Sequence, residues 1–239
     1  MGTSVVADPR DRFFRTLLFD VRGVLYDDSA WQRWLLQLVH RMGVFTTYNA
    51  FFHLFEREYL PCGVQVEDDY WHALQNYLRA VGLSCGQVDE ILAAGRARRV
   101  LLADKVRLLP GVRPALTQLA ALGLQLGVLC TSSLRRSDLE GRLSELGLSS
   151  LLNPVLTQTE WIQSSHTLFG HASAALRADP QHIGFVSRDA VELLNAADAG
   201  FEPISFGSTA PPRCTVYRLE HFSELVDVVR SQGEQHQAS

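Results

Sequence analysis

The chain has 239 residues, 46% hydrophobic and 20% charged, with a formal net charge of −4 at pH 7. That length and apolar share can bury one large core, or one core plus a small insert. Mild acidity with scattered basic residues excludes a nucleic-acid or anionic-membrane footprint, and no apolar run approaches the roughly 20 residues of a membrane span.

Residues 1–12 are polar and lack the apolar stretch of a secretion signal; residues 1–13 are expected to be a flexible terminus. The first strand is predicted at residues 16–21, Thr-Leu-Leu-Phe-Asp-Val. From 29 to 104 the pattern turns helical. Trp31, Trp34, Leu35, Leu38 and Val39 recur at three-to-four spacing, as do Tyr48, Phe51, Phe52 and Phe55, then Tyr70, Trp71, Leu74, Tyr77 and Leu78, then Val88, Ile91 and Leu92. Gly43, the Pro61-Cys62-Gly63 run and Gly82 punctuate these segments. At that spacing the aromatic residues are expected to form the insert's own core, with some available for a homodimer face.

Strands and helices then alternate. Leu108–Val112 leads into a helix through Ala120, and Leu124–Cys130 is a near-continuous apolar strand, the mark of a sheet covered on both faces. Helices are predicted at 139–146, stopped by Gly147, and at 168–176. A short strand at Val155-Leu156 separates them. Strands at 183–186 and 203–206 flank a helix at 190–199 closed by Gly200. A last helix is predicted at 221–229, and residues 231–239 are expected to be a flexible tail. The alternation argues for an α/β fold with a Rossmann-like, doubly wound parallel sheet. The expected organisation is a core of 14–28 plus 105–230 and an all-helical cap of 29–104 inserted after the first strand.

Cys62, Cys85, Cys130 and Cys214 form no C-x-x-C pair. With no export signal, that usage suggests reduced thiols in a cytoplasm. Lys105 is the only lysine, so any mechanism needing a lysine has one candidate, here read as an exposed hinge residue. His166 and His171, five apart, are a poor metal pair.

The segment Leu17-Leu18-Phe19-Asp20-Val21-Arg22-Gly23-Val24-Leu25-Tyr26-Asp27-Asp28-Ser29 delivers Asp20 at the carboxyl end of a strand, where open α/β sheets place their chemistry. It resembles the nucleophile loop of the haloacid dehalogenase (HAD) superfamily, usually Asp-x-Asp-Gly-Thr/Val-Leu. Leu126-Gly127-Val128-Leu129-Cys130-Thr131-Ser132-Ser133 is similar to the second motif. Residues 183–200, with Glu192 and the Ala-Ala-Asp-Ala-Gly ending, are similar to the fourth. The layout is closest to phosphoglycolate-phosphatase-like and 2-haloacid-dehalogenase-like members.

The resemblance implies Asp20 as nucleophile and an anion or phosphate site at Gly23, Thr131 and Ser132. It also implies a general acid/base, a lysine and a Mg²⁺ ion. These last three positions have changed. Arg22 stands where the acid/base belongs, and an arginine stays charged near neutral pH. Six residues before Phe169, where the lysine belongs, is Gln163. Twelve before Gly200, where a metal aspartate belongs, is Arg188, with Ser187 in the preceding glycine position. Asp189 and Glu192 remain as supporting acids.

An arginine about 4 Å from a divalent ion is repelled by about 8 kcal/mol at an intermediate effective dielectric. No cofactor is therefore expected, with Mg²⁺ only if the protein is an active enzyme. Arg22, Arg188 or both are expected to replace the cation and pair with Asp20, Asp189 or Glu192. The reading that follows is a degenerate hydrolase that binds a small anion or a protein partner, with no nucleic acid and no membrane. The alternative is an active hydrolase using Asp20, either a phosphomonoester phosphatase or a 2-haloacid dehalogenase. For the latter, Phe185-Val186-Ser187-Arg188-Asp189-Ala190-Val191-Glu192 resembles Phe-Val-Ser-Ser-Asn-Ala-Trp-Asp.

Overall fold

The computed structural model describes residues 13–60, 67–103, 105–131, 134–158, 168–207, 213–215 and 217–237. Ser132, Gln163, His166 and Cys62 lie outside them. The chain divides into two compact units, Met1–Tyr26 with Leu108–Ser239, and Asp27–Arg107.

The first unit is built on a six-stranded sheet. Its strands are β1 (Thr16–Phe19), β4 (Gln125–Cys130), β5 (Val155–Thr157), β6 (Ile183–Ser187), β7 (Glu202–Phe206) and β8 (Tyr217–Leu219), in the order β5-β4-β1-β6-β7-β8. Each neighbouring pair is parallel, which is the α/β doubly wound arrangement that the alternating pattern implies. β2 (Tyr26–Asp27) and β3 (Arg107–Leu108) form a separate two-stranded sheet where the chain passes between the units. Five helices complete the first unit: α5 (Val112–Ala121), α6 (Arg136–Glu145), α7 (Leu168–Leu176), α8 (Ala190–Asp198) and α9 (Phe222–Gln237).

The central strands are apolar on both faces because helices cover both. On one face Leu18, Leu129, Leu156 and Phe185 pack with Phe169 and Ala172 of α7 and with Leu193 and Ala196 of α8. On the other, Phe222 of α9 stacks on Phe19 at 6.2 Å and packs at a tilt against Phe206 at 4.8 Å between ring centroids. Each such fully buried side chain contributes about 1.5–3 kcal/mol.

Close packing also sets where side chains are forbidden. A Cβ at Gly127 in β4 would lie 2.8 Å from the Pro154 carbonyl oxygen and 2.9 Å from Leu18 Cδ2. Gly127→Ala is expected to destabilise the protein by about 1–3 kcal/mol through overpacking. Urea unfolding checks this, and an unchanged midpoint would mean that β4 and its neighbours yield freely.

Two expectations about the ends need correction. The closing helix does not stop at Val229, nor is the segment after Ser231 a free tail: α9 continues to Gln237. Gln232 explains the extension, because its side chain accepts from Phe14 N–H at 3.3 Å and donates to Tyr217 Oη at 2.8 Å. At the other end, Phe13 is not loose. Its carbonyl pairs with His182 Nδ1 at 3.1 Å and its ring lies 5.0 Å from that imidazole. β8 escaped the sequence reading because three residues at a sheet edge carry too little pattern.

The second unit contains α1 (Ala30–Arg41), α2 (Tyr48–Leu54), a π-helical turn (Phe55–Tyr59), α3 (Glu67–Ala80) and α4 (Cys85–Ala103). The aromatic faces seen in the sequence form its core, with Trp31, Phe51, Phe52, Phe55, Trp71 and Tyr77 buried together. Buried polar tips find partners. Trp31 Nε1 donates to Tyr70 Oη at 2.9 Å, and Tyr77 Oη donates to the Phe51 carbonyl at 2.8 Å. The Arg99 guanidinium lies 3.8 Å from the Tyr70 ring centroid. Lys105 is exposed. Among the described residues no helix is long and apolar enough to cross a membrane.

Candidate active site

Parallel strands bring their carboxyl ends to one edge of the sheet, and the candidate residues follow from that. Asp20 comes directly after β1, Thr131 after β4 and Arg188 after β6. The predicted strand stops two residues early, at Phe19, but the Asp20 N–H still donates to the Val186 carbonyl at 2.9 Å. That bond fixes Asp20 against β6. The chain then closes a tight loop in which the amides of Leu25 and Tyr26 both donate to the Val21 carbonyl.

The Asp20 carboxylate has two partners on its own unit. Oδ1 accepts from Val21 N–H at 2.7 Å and Oδ2 from the Ser187 hydroxyl at 3.1 Å. Ser187 is fully buried and its Oγ also accepts from Asp189 N–H at 3.1 Å. Asp189 in turn caps α8, with Oδ1 accepting from Val191 N–H at 2.7 Å and Glu192 N–H at 3.3 Å. A chain of hydrogen bonds therefore ties the first loop to the start of α8. Ser187 is the residue whose importance the sequence understated. Its signal was its place in the Phe-Val-Ser run.

The electrostatics are those of acids lacking a close cation. Burial pushes the Asp20 carboxyl up to about 6. The bonds from Val21 and Ser187 oppose that rise, Asp189 adds repulsion, and attraction from Arg22 is the weakest of these influences. Glu192 is pushed up to about 7, first by burial, then by Asp189 and Asp20, against a hydrogen bond with Asn195. Near pH 7 Asp20 is thus mostly ionised and Glu192 is divided between acid and carboxylate. Glu192 and Thr131 share the wall of a cavity of about 410 Å³, together with Gln158, Leu168, Phe169 and Asn195.

Two expectations about the arginines and the loop are corrected. Arg188 does not form the expected bidentate pair with a carboxylate. Its Nη2 donates to the Gly207 carbonyl at 3.3 Å, and its side chain lies over Gly23. Asp189 is held at the start of α8, and the neighbouring guanidinium extends to Gly207 instead. Gly23 does not offer an open amide to an anion, because its N–H donates to the Tyr26 carbonyl at 2.8 Å. Arg22 is exposed and is near enough to Asp20 for its charge to be felt.

The donor set bears on a divalent ion. Both Asp20 oxygens already accept hydrogen bonds, Asp189 is used by helix amides, and a guanidinium stands at position 188. Among the described residues no group of three or more His, Cys, Asp or Glu is arranged to hold a metal. His171 belongs to no such group.

A family model described as haloacid dehalogenase-like hydrolase matches residues 14–187. Among solved structures, the fold is similar to that of an L-2-haloacid dehalogenase at 20% identity and a TM-score of 0.66, covering 91% of this chain and 99% of that one. A predicted phosphoglycolate phosphatase from Haemophilus somnus 129pt matches at 16% identity and a TM-score of 0.63, covering 90% and 97%. A HAD family hydrolase from Deinococcus radiodurans R1, with bound phosphate and sodium, matches at 17% and 0.66, covering 92% and 96%. At these identities the likeness establishes the fold. No curated protein matches the chain.

Proposed function

Because the chain belongs to the haloacid dehalogenase-like hydrolase family, we propose that it is a disarmed member whose hydrolase activity is lost or strongly reduced. In this reading it uses no Mg²⁺ and binds a small anion or a protein partner. The observation that carries this is the pair of arginines, Arg22 and Arg188, at two positions around Asp20 where the family chemistry calls for carboxylates. A guanidinium can neither relay a proton near neutral pH nor ligate a cation. The site also lacks a carboxylate at position 188, and Mg²⁺ in proteins is held through carboxylate oxygens.

A second reading has one observation in its favour. Glu192, pushed up to about 7 by burial and by the charges of Asp189 and Asp20, is about half protonated at neutral pH, and such a pairing of acids is one that acid–base chemistry exploits. In that case Asp20 Oδ attacks phosphorus, the ester P–O bond breaks, and the departing oxygen takes the Glu192 proton.

Turnover of an aryl phosphate, with and without Mg²⁺, separates the two. The disarmed reading expects rates no higher than those of Asp20→Asn in either condition. Turnover at the rate of an ordinary enzyme, on the order of 1 per second or more, that vanishes in Asp20→Asn would establish the active hydrolase instead.

A further inference from the structure

We infer that Arg188 is the built-in cation of this site and that it recognises a small oxyanion, a carboxylate or phosphate group, with no metal present. This rests on the metal-free reading above. The carrying observation is the cradle in which the side chain lies. Gly23 and Gly207 both have left-handed backbone, with φ of 67° and 55°. A Cβ on Gly23 would come within 3.0 Å of Arg188 Cδ and 3.1 Å of Nη1, and a Cβ on Gly207 within 3.7 Å of Nε. The missing side chain of Gly23 thus leaves space that the arginine occupies, in the loop that begins at Asp20, and Gly207 lies in ordinary contact on its other side.

The guanidinium is held but little used. Its hydrogen bond among the described residues is the one to the Gly207 carbonyl, at 3.3 Å. Asp189 is the adjacent residue, yet its carboxylate is turned to the amides of Val191 and Glu192. Asp20 is turned to Val21 and Ser187. An arginine has five N–H donors in a planar fork, so most remain open, and that fork matches the oxygens of a carboxylate or phosphate. The backbone at its base is fixed, because Ser187 Oγ accepts from Asp189 N–H and Asp189 caps α8. A guanidinium lying over Gly23, in the loop that begins at Asp20, offers an incoming anion a positive charge and a planar fork of donors.

The test is calorimetric titration of the full chain, in EDTA, with inorganic phosphate and separately with acetate. At least one is expected to bind at millimolar concentration. Arg188→Gln is expected to weaken that binding by about tenfold or more, and Arg188→Lys, which keeps the charge and loses the fork, to fall between. Thermal unfolding verifies that both variants fold. Preference for acetate identifies a carboxylate ligand and preference for phosphate a phosphoryl one, and either supports the proposal. Metal-free binding that is undiminished in Arg188→Gln overturns this inference and leaves the disarmed reading standing. The titration is repeated with Mg²⁺ in place of EDTA, and binding that appears only then overturns both. No binding of either anion overturns the inference.

Discussion

Asp20→Asn is expected to make the protein more stable at pH 8, by up to about 3 kcal/mol. Burial raises this carboxyl from 3.8 to about 6, so the folded state holds its proton more tightly than the unfolded chain does. Below about pH 3 both states are mostly protonated and the shift has little effect. As pH rises toward 6 the unfolded chain ionises first, and stability falls; above that it stays reduced by a constant amount. Asparagine removes the ionisation while its amide oxygen still accepts from Val21 N–H, the bond Asp20 makes at 2.7 Å. Urea unfolding at pH 8 and at pH 3 measures both ends: a clear gain at the first and near equality at the second. Equal stability at pH 8 would mean that the carboxylate is solvated or neutralised in the fold. Because Asp20 also raises Glu192, Asp20→Asn with Glu192→Gln is expected to gain less than the two single changes summed.

Restoring two carboxylates should have the largest functional effect. Arg22→Asp with Arg188→Asp changes the local charge by four units in the direction that favours a cation. The double variant is expected to bind Mg²⁺ in the millimolar range or tighter, while the natural chain shows no binding heat. A guanidinium brought to about 4 Å from such an ion would oppose it by roughly 8 kcal/mol, and neither arginine offers a ligand atom. Gly23 remains to accommodate the new side chain at 188. Micromolar Mg²⁺ binding by the natural chain would refute the exchange of metal for guanidinium. Adding Gln163→Lys tests whether hydrolysis returns once all three altered positions are reversed.

Different parts of this molecule were legible in the sequence to different degrees. β1, β4 and β6 were plain because strands covered on both faces are written as apolar runs, Leu17–Phe19 being one such run. α6 and α8 ended where Gly147 and Gly200 supply left-handed backbone, at φ of 64° and 85°. The four segments of the second unit showed because their apolar faces recur at helical spacing, and those faces make its core. β8 and the last turns of α9 did not show. A three-residue edge strand has almost no pattern, and α9 extends because Gln232 finds partners on distant Phe14 and Tyr217.

The order and spacing of motifs, by themselves, determined the family and named Asp20, Thr131, Arg188 and Glu192 as residues of one sheet edge, because parallel strands must deliver their carboxyl ends together. Which of these side chains touch was decided only in three dimensions. Asp20 takes Ser187 rather than an arginine, and Arg188 lies along Gly23 and bonds to the Gly207 carbonyl. The reason is that a one-dimensional pattern specifies charge and position along the chain. The direction of a side chain depends on backbone torsions and on the space left by residues far away in sequence, here Gly23 beside Arg188.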